Sequence, residues 1–407
     1  MNNSSTSSLR ATKKLIPELR FPEFVNDGEW EEKSIGEITI SESSSMALNK
    51  LELNPSGYKV YGADSIVGYI DVFQQNEKYI SIVKDGSGVG RLNLCESQSS
   101  ILGTLACLKS KNLKKYDLVW IYYLLNTVNL STYVKGSGIP HIYYSDFKNE
   151  NVAVPKPQEQ QKIASCLSSL DEVIATHSQK LDALKVHKKG LMQNLFPQES
   201  ETVPKYRFPE FVNDGEWVER SLDAVATFLK GKGISKSDIV ENGSFPCIRY
   251  GELYTHYNET IRIIKSYTNL NPADLVLSKA NDVIIPASGE TQIDIATASC
   301  VLEKGIALGG DLNIIRSKIN GVFLSYYLNN VKRMDIAQMA QGISVVHLYP
   351  NQLKALMINI PKPKEQQKIA SCISSLDDLI TALADKIEQL KWHKKGLMQV
   401  LFPKIES

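Results

Sequence analysis

No run of apolar residues in this 407-residue chain approaches the length needed to cross a bilayer, which excludes a membrane-spanning helix. Cysteine is sparse. The six, at 95, 107, 166, 247, 300 and 372, include no Cys-x-x-Cys pair, so zinc ribbons and dithiol redox motifs are excluded. They are expected as reduced thiols of a cytoplasmic protein. The first sixteen residues are rich in Ser, Asn and Thr and carry no apolar core of a signal peptide, so 1–16 reads as a disordered tail.

Excess charge is missing as well. Lys plus Arg number 46 against 45 for Asp plus Glu, a net charge of +1. The balance holds locally, with 16 basic and 17 acidic residues in 1–154 and 16 of each in 204–360. A protein that gripped nucleic acid alone through phosphates would be more basic. Catalytic patterns are absent too: there is no His-Glu-x-x-His, no Gly-x-Ser-x-Gly and no metal-spaced His/Cys cluster. Asn271-Pro-Ala-Asp274 lacks the aromatic residue that would stack a flipped base, and no Gly-rich loop suits S-adenosylmethionine. No catalytic residue, metal ligand or cofactor is assigned to this chain.

What is present is a duplication. Arg20-Phe-Pro-Glu-Phe-Val-Asn-Asp-Gly-Glu-Trp30 returns unchanged as Arg207 to Trp217. Pro155-Lys-Pro-Gln-Glu-Gln-Gln-Lys-Ile-Ala-Ser-Cys166 returns as Pro361 to Cys372, with Lys364 in place of Gln158. His187-Lys-Lys-Gly-Leu-Met-Gln193 and Leu195-Phe-Pro197 return as His393 to Gln399 and Leu401 to Pro403. Between these anchors the halves diverge. A repeated frame around two unlike inserts implies one scaffold with two different heads. The expected order is the tail, a mixed α/β block at 17–154, a helix block at 155–203, a second mixed block at 204–360 and a second helix block at 361–407.

Both helix blocks carry a heptad seam. In the first it runs through Ile163, Leu167, Leu170, Ile174, His177, Leu181, Leu184, Lys188, Leu191 and Leu195. Ile369, Ile373, Leu376, Ile380, Leu383, Ile387, Leu390, Lys394, Leu397 and Leu401 repeat it in register. Each block opens after Pro-x-Pro and stops before Phe-Pro. Residues 163–195 make a helix of roughly 50 Å. The simplest packing is an antiparallel coiled coil about a pseudo-twofold axis. Lys188 and Lys394 share one seam position, where a lysine either fixes orientation or faces a partner, or else snorkels at a frayed end. His177, opposite an apolar residue in the repeat, reads as a tolerated seam residue.

In the inserts, 58–61 and 78–83 read as strands and 116–128 as a helix; 245–250 and 282–286 read as strands and 324–328 as part of a helix. Two pairs of loops concentrate short polar side chains, free amides and isolated cations. One pair is Lys84-Asp-Gly-Ser-Gly-Val-Gly-Arg91 and Ala287-Ser-Gly-Glu-Thr-Gln292. The other is Lys135-Gly-Ser-Gly-Ile-Pro-His141 and Gln341-Gly-Ile-Ser-Val-Val-His347, whose histidines each stand 14 residues before the Pro that opens Pro-Lys-Pro (155 − 141 and 361 − 347). Such loops suit a phosphate or a base edge, and they equally suit plain turns that seat an insert on its helix. The DNA-contact candidates are Lys84, Ser87, Arg91, Lys135, Ser137 and His141 in the first insert. In the second they are Arg249, Ser288, Thr291, Gln292, Ser344 and His347.

Pro155 to Ala164 with Leu170-Asp171, their repeat Pro361 to Ala370 with Leu376-Asp377, Leu19-Arg-Phe-Pro-Glu-Phe24 with Trp30, and the Gly-Ser-Gly-Ile-Pro of 136–140 together resemble the specificity subunits of type I restriction-modification systems. The resemblance spans nearly the whole chain beyond the tail, and the Pro-x-x-x-Glu-Gln opening of a heptad helix, present twice, is its specific signature. The second insert departs at Gln341-Gly-Ile-Ser-Val. The resemblance implies two target recognition domains, each reading one part of a bipartite duplex sequence, with helix length setting the gap. It implies two modification subunits that bind S-adenosylmethionine and methylate adenine N6, and restriction subunits that use ATP and Mg. Those cofactors would belong to the partners. Two other classes stay open on the residues alone: a coiled-coil scaffold with two protein-binding heads, and an enzyme in its own right.

Overall fold

The computed structural model describes residues 15–198, 201–342 and 345–405. The chain divides into two units. One runs up to Ser178 and resumes at Asp385; the other is Gln179–Ala384. Each unit therefore owns one mixed α/β reader, the opening of one long helix and the closing segment of the other.

The first unit carries an antiparallel four-stranded sheet in the order Thr39–Ser43, Leu105–Ser110, Tyr79–Val83, Leu92–Cys95. A three-stranded sheet of Ile66–Ile70, Tyr58–Tyr61 and Ser100–Ile101 lies beside it in sequence. Tyr79–Val83 is buried along its whole length, as a continuous apolar run should be. The helix Leu118–Leu125 starts where the Asp117 carboxylate accepts the Trp120 N–H at 2.8 Å. It presses Trp120, Ile121 and Leu124 into a core shared with Ile163 and Leu167 of the first long helix and Leu401 and Phe402 at the end of the second. Leu15, counted with the tail from composition, already belongs to this unit: its carbonyl accepts the Trp30 N–H at 2.8 Å.

The second unit repeats the plan with a larger sheet. Its five strands run Ala226–Lys230, Leu312–Ser317, Asp282–Pro286, Ser299–Val301, Thr260–Ile261. A four-stranded sheet contains Ser266–Thr268, Phe245–Ile248, Ala307–Leu308 and Val276–Leu277. The helix Gly321–Asn330, capped by Asn320, packs Phe323 and Tyr327 with Phe196 and Trp217, and with Ile369 and Ile373 of the second long helix. In both units one short antiparallel pair closes the reader onto its helix. Glu31–Ser34 pairs with Asn151–Val154, and Val218–Ser221 with Met357–Ile360.

The long helices are Pro157–Leu195 and Pro363–Leu401, 39 residues each. They start at the second proline of Pro-Lys-Pro, not after it, because proline's fixed φ suits the first helical position. Within each unit the opening of one helix meets the end of the other, so the two run antiparallel there. Every expected seam residue, from Ile163 to Leu195 and from Ile369 to Leu401, is buried or half-buried. The outermost apolar positions pack into reader cores and not only along a helix pair.

Among the described residues no helix is long and apolar enough to cross a membrane. Four cysteines are core residues, and burial pushes the Cys107 and Cys300 thiols up to about 12, which leaves them neutral.

Candidate nucleic-acid interface

The frame explains why the anchors are duplicated. Arg20 forks onto Glu159 through Nε and Nη2 at 2.8 and 2.7 Å, and its Nη1 donates to the Gly28 carbonyl at 2.6 Å. Arg207 does the same to Glu365 at 2.8 and 2.7 Å and to Gly215 at 2.5 Å. Both glutamates are buried, and the bidentate pair holds each arginine's charge in place. The next residue links the frame to the reader helix. Gln160 accepts the Asp117 N–H at 2.8 Å and donates to the Pro155 carbonyl at 2.8 Å; Gln366 accepts the Asn320 N–H at 2.9 Å and donates to Pro361 at 2.8 Å. The Glu-Gln of each anchor is thus a clasp between its long helix and its reader.

On this frame the two sequence-flagged loops come together in each unit. In the first, the Lys84 carbonyl accepts the Ile142 N–H at 2.9 Å, the Gly86 N–H donates to Pro140 at 2.9 Å, and Lys135 and His141 exchange both backbone bonds at 2.8 Å. In the second, Ala287 accepts the Leu348 N–H at 3.0 Å, Ser288 pairs with His347, and Gln341 and His347 exchange bonds at 2.9 and 2.7 Å. Gly136 and Gly342 hold φ of 90° and 132° in matching turns, where a Cβ would strike the carbonyls of Ile139 and Val345. Two loops some fifty residues apart in sequence (135 − 84 = 51; 341 − 287 = 54) therefore form one edge, built by the same hydrogen bonds in both units.

The candidate side chains fare unequally along that edge. Ser87, Arg91, Lys135 and Ser137 are exposed in the first unit, with Lys84 and His141 half-buried. Arg91 is paired with Asp64, Lys135 with Asp146 at 2.6 Å, and Lys84 lies 3.7 Å from Asp85. The Lys135 ammonium holds Asp146 below the usual carboxylate range. In the second unit Gln292 and His347 are exposed. Ser288 is buried in the two-residue strand, which removes its hydroxyl from the surface. The Thr291 hydroxyl caps the helix Gln292–Ile295, accepting the Asp294 N–H at 3.1 Å. Arg249 is not part of this edge: it follows Phe245–Ile248, and its Nε is turned to Glu252 at 3.6 Å. Ser344 lies outside the described residues. Asn271, the suspect methyltransferase-like position, caps an exposed turn by accepting the Ala273 N–H at 3.1 Å.

Two copies of a frame, each presenting a two-loop edge, are matched by the type I restriction modification DNA specificity domain, once over residues 27–186 and again over 214–391. The chain belongs to that family. It is a DNA specificity chain with two recognition domains and has no catalytic role of its own. It is similar to the type I restriction enzyme MjaVIII specificity subunit of Methanocaldococcus jannaschii, with 29% identity over 344 residues covering 80% of this chain and 78% of that one. The putative MjaX specificity subunit of the same organism is 24% identical over 360 residues, covering 82% of each. The crystal structure of the type I restriction-modification S subunit from M. genitalium shares the fold, with a TM-score of 0.69 at 18% identity over 96% of this chain and 100% of that one.

In this specificity chain the partners of the two seam lysines were not visible in the sequence. Lys394 donates to Asp171 at 2.6 and 2.7 Å, the Tyr123 hydroxyl donates to the same carboxylate at 2.7 Å, and the ammonium stands 5.1 Å from the tyrosine ring. Lys188, Asp377 and Tyr326 repeat the triad, with Lys188 to Asp377 at 2.7 Å. The seam lysines are neither frayed nor free; each ties the end of one long helix to the start of the other and to a reader helix. Beside His141 and His347 stand two exposed tyrosines, Tyr143 and Tyr349. Their signal in the sequence was the matched His-x-Tyr spacing.

Proposed function

We propose that each recognition domain reads one half of a bipartite duplex sequence and that the frame presents the bound DNA to partner subunits. Two modification subunits would methylate adenine N6 with S-adenosylmethionine, and restriction subunits would add ATP- and Mg-dependent cleavage in the cytoplasm. The observation that carries this reading is the two-loop edge, built by matching backbone bonds in both units and carrying, apart from a shared histidine and tyrosine, different side chains in each. A fixed stage with exchanged side chains is what two independent readers of sequence need. The nearly even charge fits a chain that shares its grip on phosphates with partners.

The test is a block exchange. Residues 31–150 are replaced by the corresponding block of a relative, the chain is co-expressed with its modification subunits, and methylated adenines are mapped. One half of the recognised sequence should change and the other should stay. A change in both halves, or failed assembly with several different donors, overturns the modular reading. An unaltered methylation pattern after a well-folded exchange points instead to a scaffold whose heads bind protein.

A further inference from the structure

The inserts diverge nearly everywhere, yet His141-Ile-Tyr143 and His347-Leu-Tyr349 are spaced 206 residues apart (347 − 141 and 349 − 143), the same offset as the helix frame (361 − 155). In both, the middle residue is sealed in the core, Ile142 at 1% and Leu348 at 0% exposure. Its N–H is held by the neighbouring loop, Ile142 to Lys84 and Leu348 to Ala287. In an extended segment this turns both flanking side chains the other way, toward solvent. Tyr143 is 49% exposed and Tyr349 53%. Each stands beside its histidine, with ring centroids 5.2 and 6.2 Å apart.

The turn does not require the two tyrosines, whereas the His141 Nδ1 lies 3.3 Å from the Ile139 carbonyl within it. At 141 and 347 it is the backbone that pairs, with Lys135 and Gln341. At 143 and 349 the backbone N–H donates to Asp146 at 3.1 Å and to Gln352 at 2.8 Å, bonds that any residue but proline could make. Nor would a base-reading pair be the same in two readers whose neighbouring loops differ as Lys84–Arg91 and Ala287–Gln292 do. What two unlike half-sites do share is the sugar-phosphate backbone. A phenol hydroxyl and an imidazole N–H are both donors, and phosphate oxygens accept.

We infer that His141 with Tyr143, and His347 with Tyr349, grip the sugar-phosphate backbone of the duplex in one sequence-neutral way, and that they set the register from which the variable loops read. This rests on the reading of the chain as a pair of DNA readers. A phenol hydroxyl carries no charge, so the tyrosines supply a grip without surplus cations, in keeping with inserts whose charges balance.

The experiment uses Tyr143→Phe and Tyr349→Phe, which remove a hydroxyl and keep the ring, and His141→Ala, in the complex with its modification subunits. Binding is measured on a duplex carrying the methylated sequence and on a scrambled duplex, across a salt series. Each Tyr→Phe change should weaken both duplexes by a similar factor, about tenfold. The double variant should lose about a hundredfold, because losses at independent sites in separate units add. The salt slope, the melting temperature and the methylated sequence should not move, since no cation is lost. Loss confined to the methylated sequence, an altered base preference, unchanged affinity, or affinity falling in step with melting would each overturn the inference. A wild-type complex that cannot tell the two duplexes apart would sink the underlying reading instead, and that result is in hand before any variant is compared.

Discussion

In the first unit Arg20 meets Glu159 at 2.8 and 2.7 Å, and in the second Arg207 meets Glu365 at the same two distances. The readers mounted on those clasps differ. One is built on sheets of four and three strands, the other on sheets of five and four. One offers Arg91 beside Asp64 in a Gly-rich turn, the other a Thr291-capped helix opening at Gln292. The comparison separates two kinds of constraint. Residues that join reader to helix are fixed in type and geometry, because a buried charge without its partner is costly. Residues on the loop edge are free to differ, provided the backbone bonds beneath them persist.

The clasp offers the hardest test of that equivalence. Glu159→Ala leaves the Arg20 guanidinium buried without its carboxylate, and Glu365→Ala does the same to Arg207. Each should destabilise its unit by about 3–5 kcal/mol, read by urea denaturation with hydrogen exchange to assign the loss to one unit. Similar losses are expected, with that of Glu365→Ala slightly the larger, because Glu365 also accepts the Trp217 indole N–H at 3.4 Å. A mild effect in one unit and a severe one in the other would show that the frame is duplicated in sequence without being duplicated in energy.

The seam lysines should show a smaller and asymmetric effect. Lys394→Met removes the cation from Asp171 but leaves the Tyr123 hydroxyl bound to it, so about 1 kcal/mol should be lost. Lys188 is flanked by two carboxylates, Asp377 at 2.7 Å and Glu259 at 3.4 Å. Lys188→Met leaves those two acids facing each other unneutralised, and its loss should be the larger by about 1 kcal/mol. Equal melting shifts for the two variants would remove Glu259 from the second triad.

Much of this was legible because the chain repeats itself. The anchors, the heptad seams and the strand at Asp282–Pro286 follow from patterns whose period is written locally. The matched histidines led to the loop edge for the same reason. What the sequence hid were partners. Glu159 lies 139 residues from Arg20, and Lys394 lies 223 from Asp171, so no local pattern links them. Lys188 looked ambiguous on its own helix because what decides its role is Asp377 on the other. Ser288 and Thr291 looked like surface hydroxyls because a short polar side chain in a loop carries no sign of whether it faces solvent, caps a helix or lines a strand.

The smallest effects on stability lie at the loop edge, where the two readers should fail in different ways. Arg91 is an exposed cation paired with Asp64, and a phosphate that displaced Asp64 would release counterions from the DNA. Arg91→Ala should therefore weaken binding evenly across sequences and lower the salt slope by about one unit. Gln292 carries no charge and opens its helix with an exposed amide, the group that can bridge an adenine edge in the major groove. Gln292→Ala should leave the salt slope alone, cost about 1–3 kcal/mol on the methylated sequence and relax preference at a single base pair. Both changes fall on exposed side chains outside the cores, so melting should stay put. If both variants instead lose binding in proportion to melting, these loops are turns that seat the readers, and the bases are read elsewhere on the two domains.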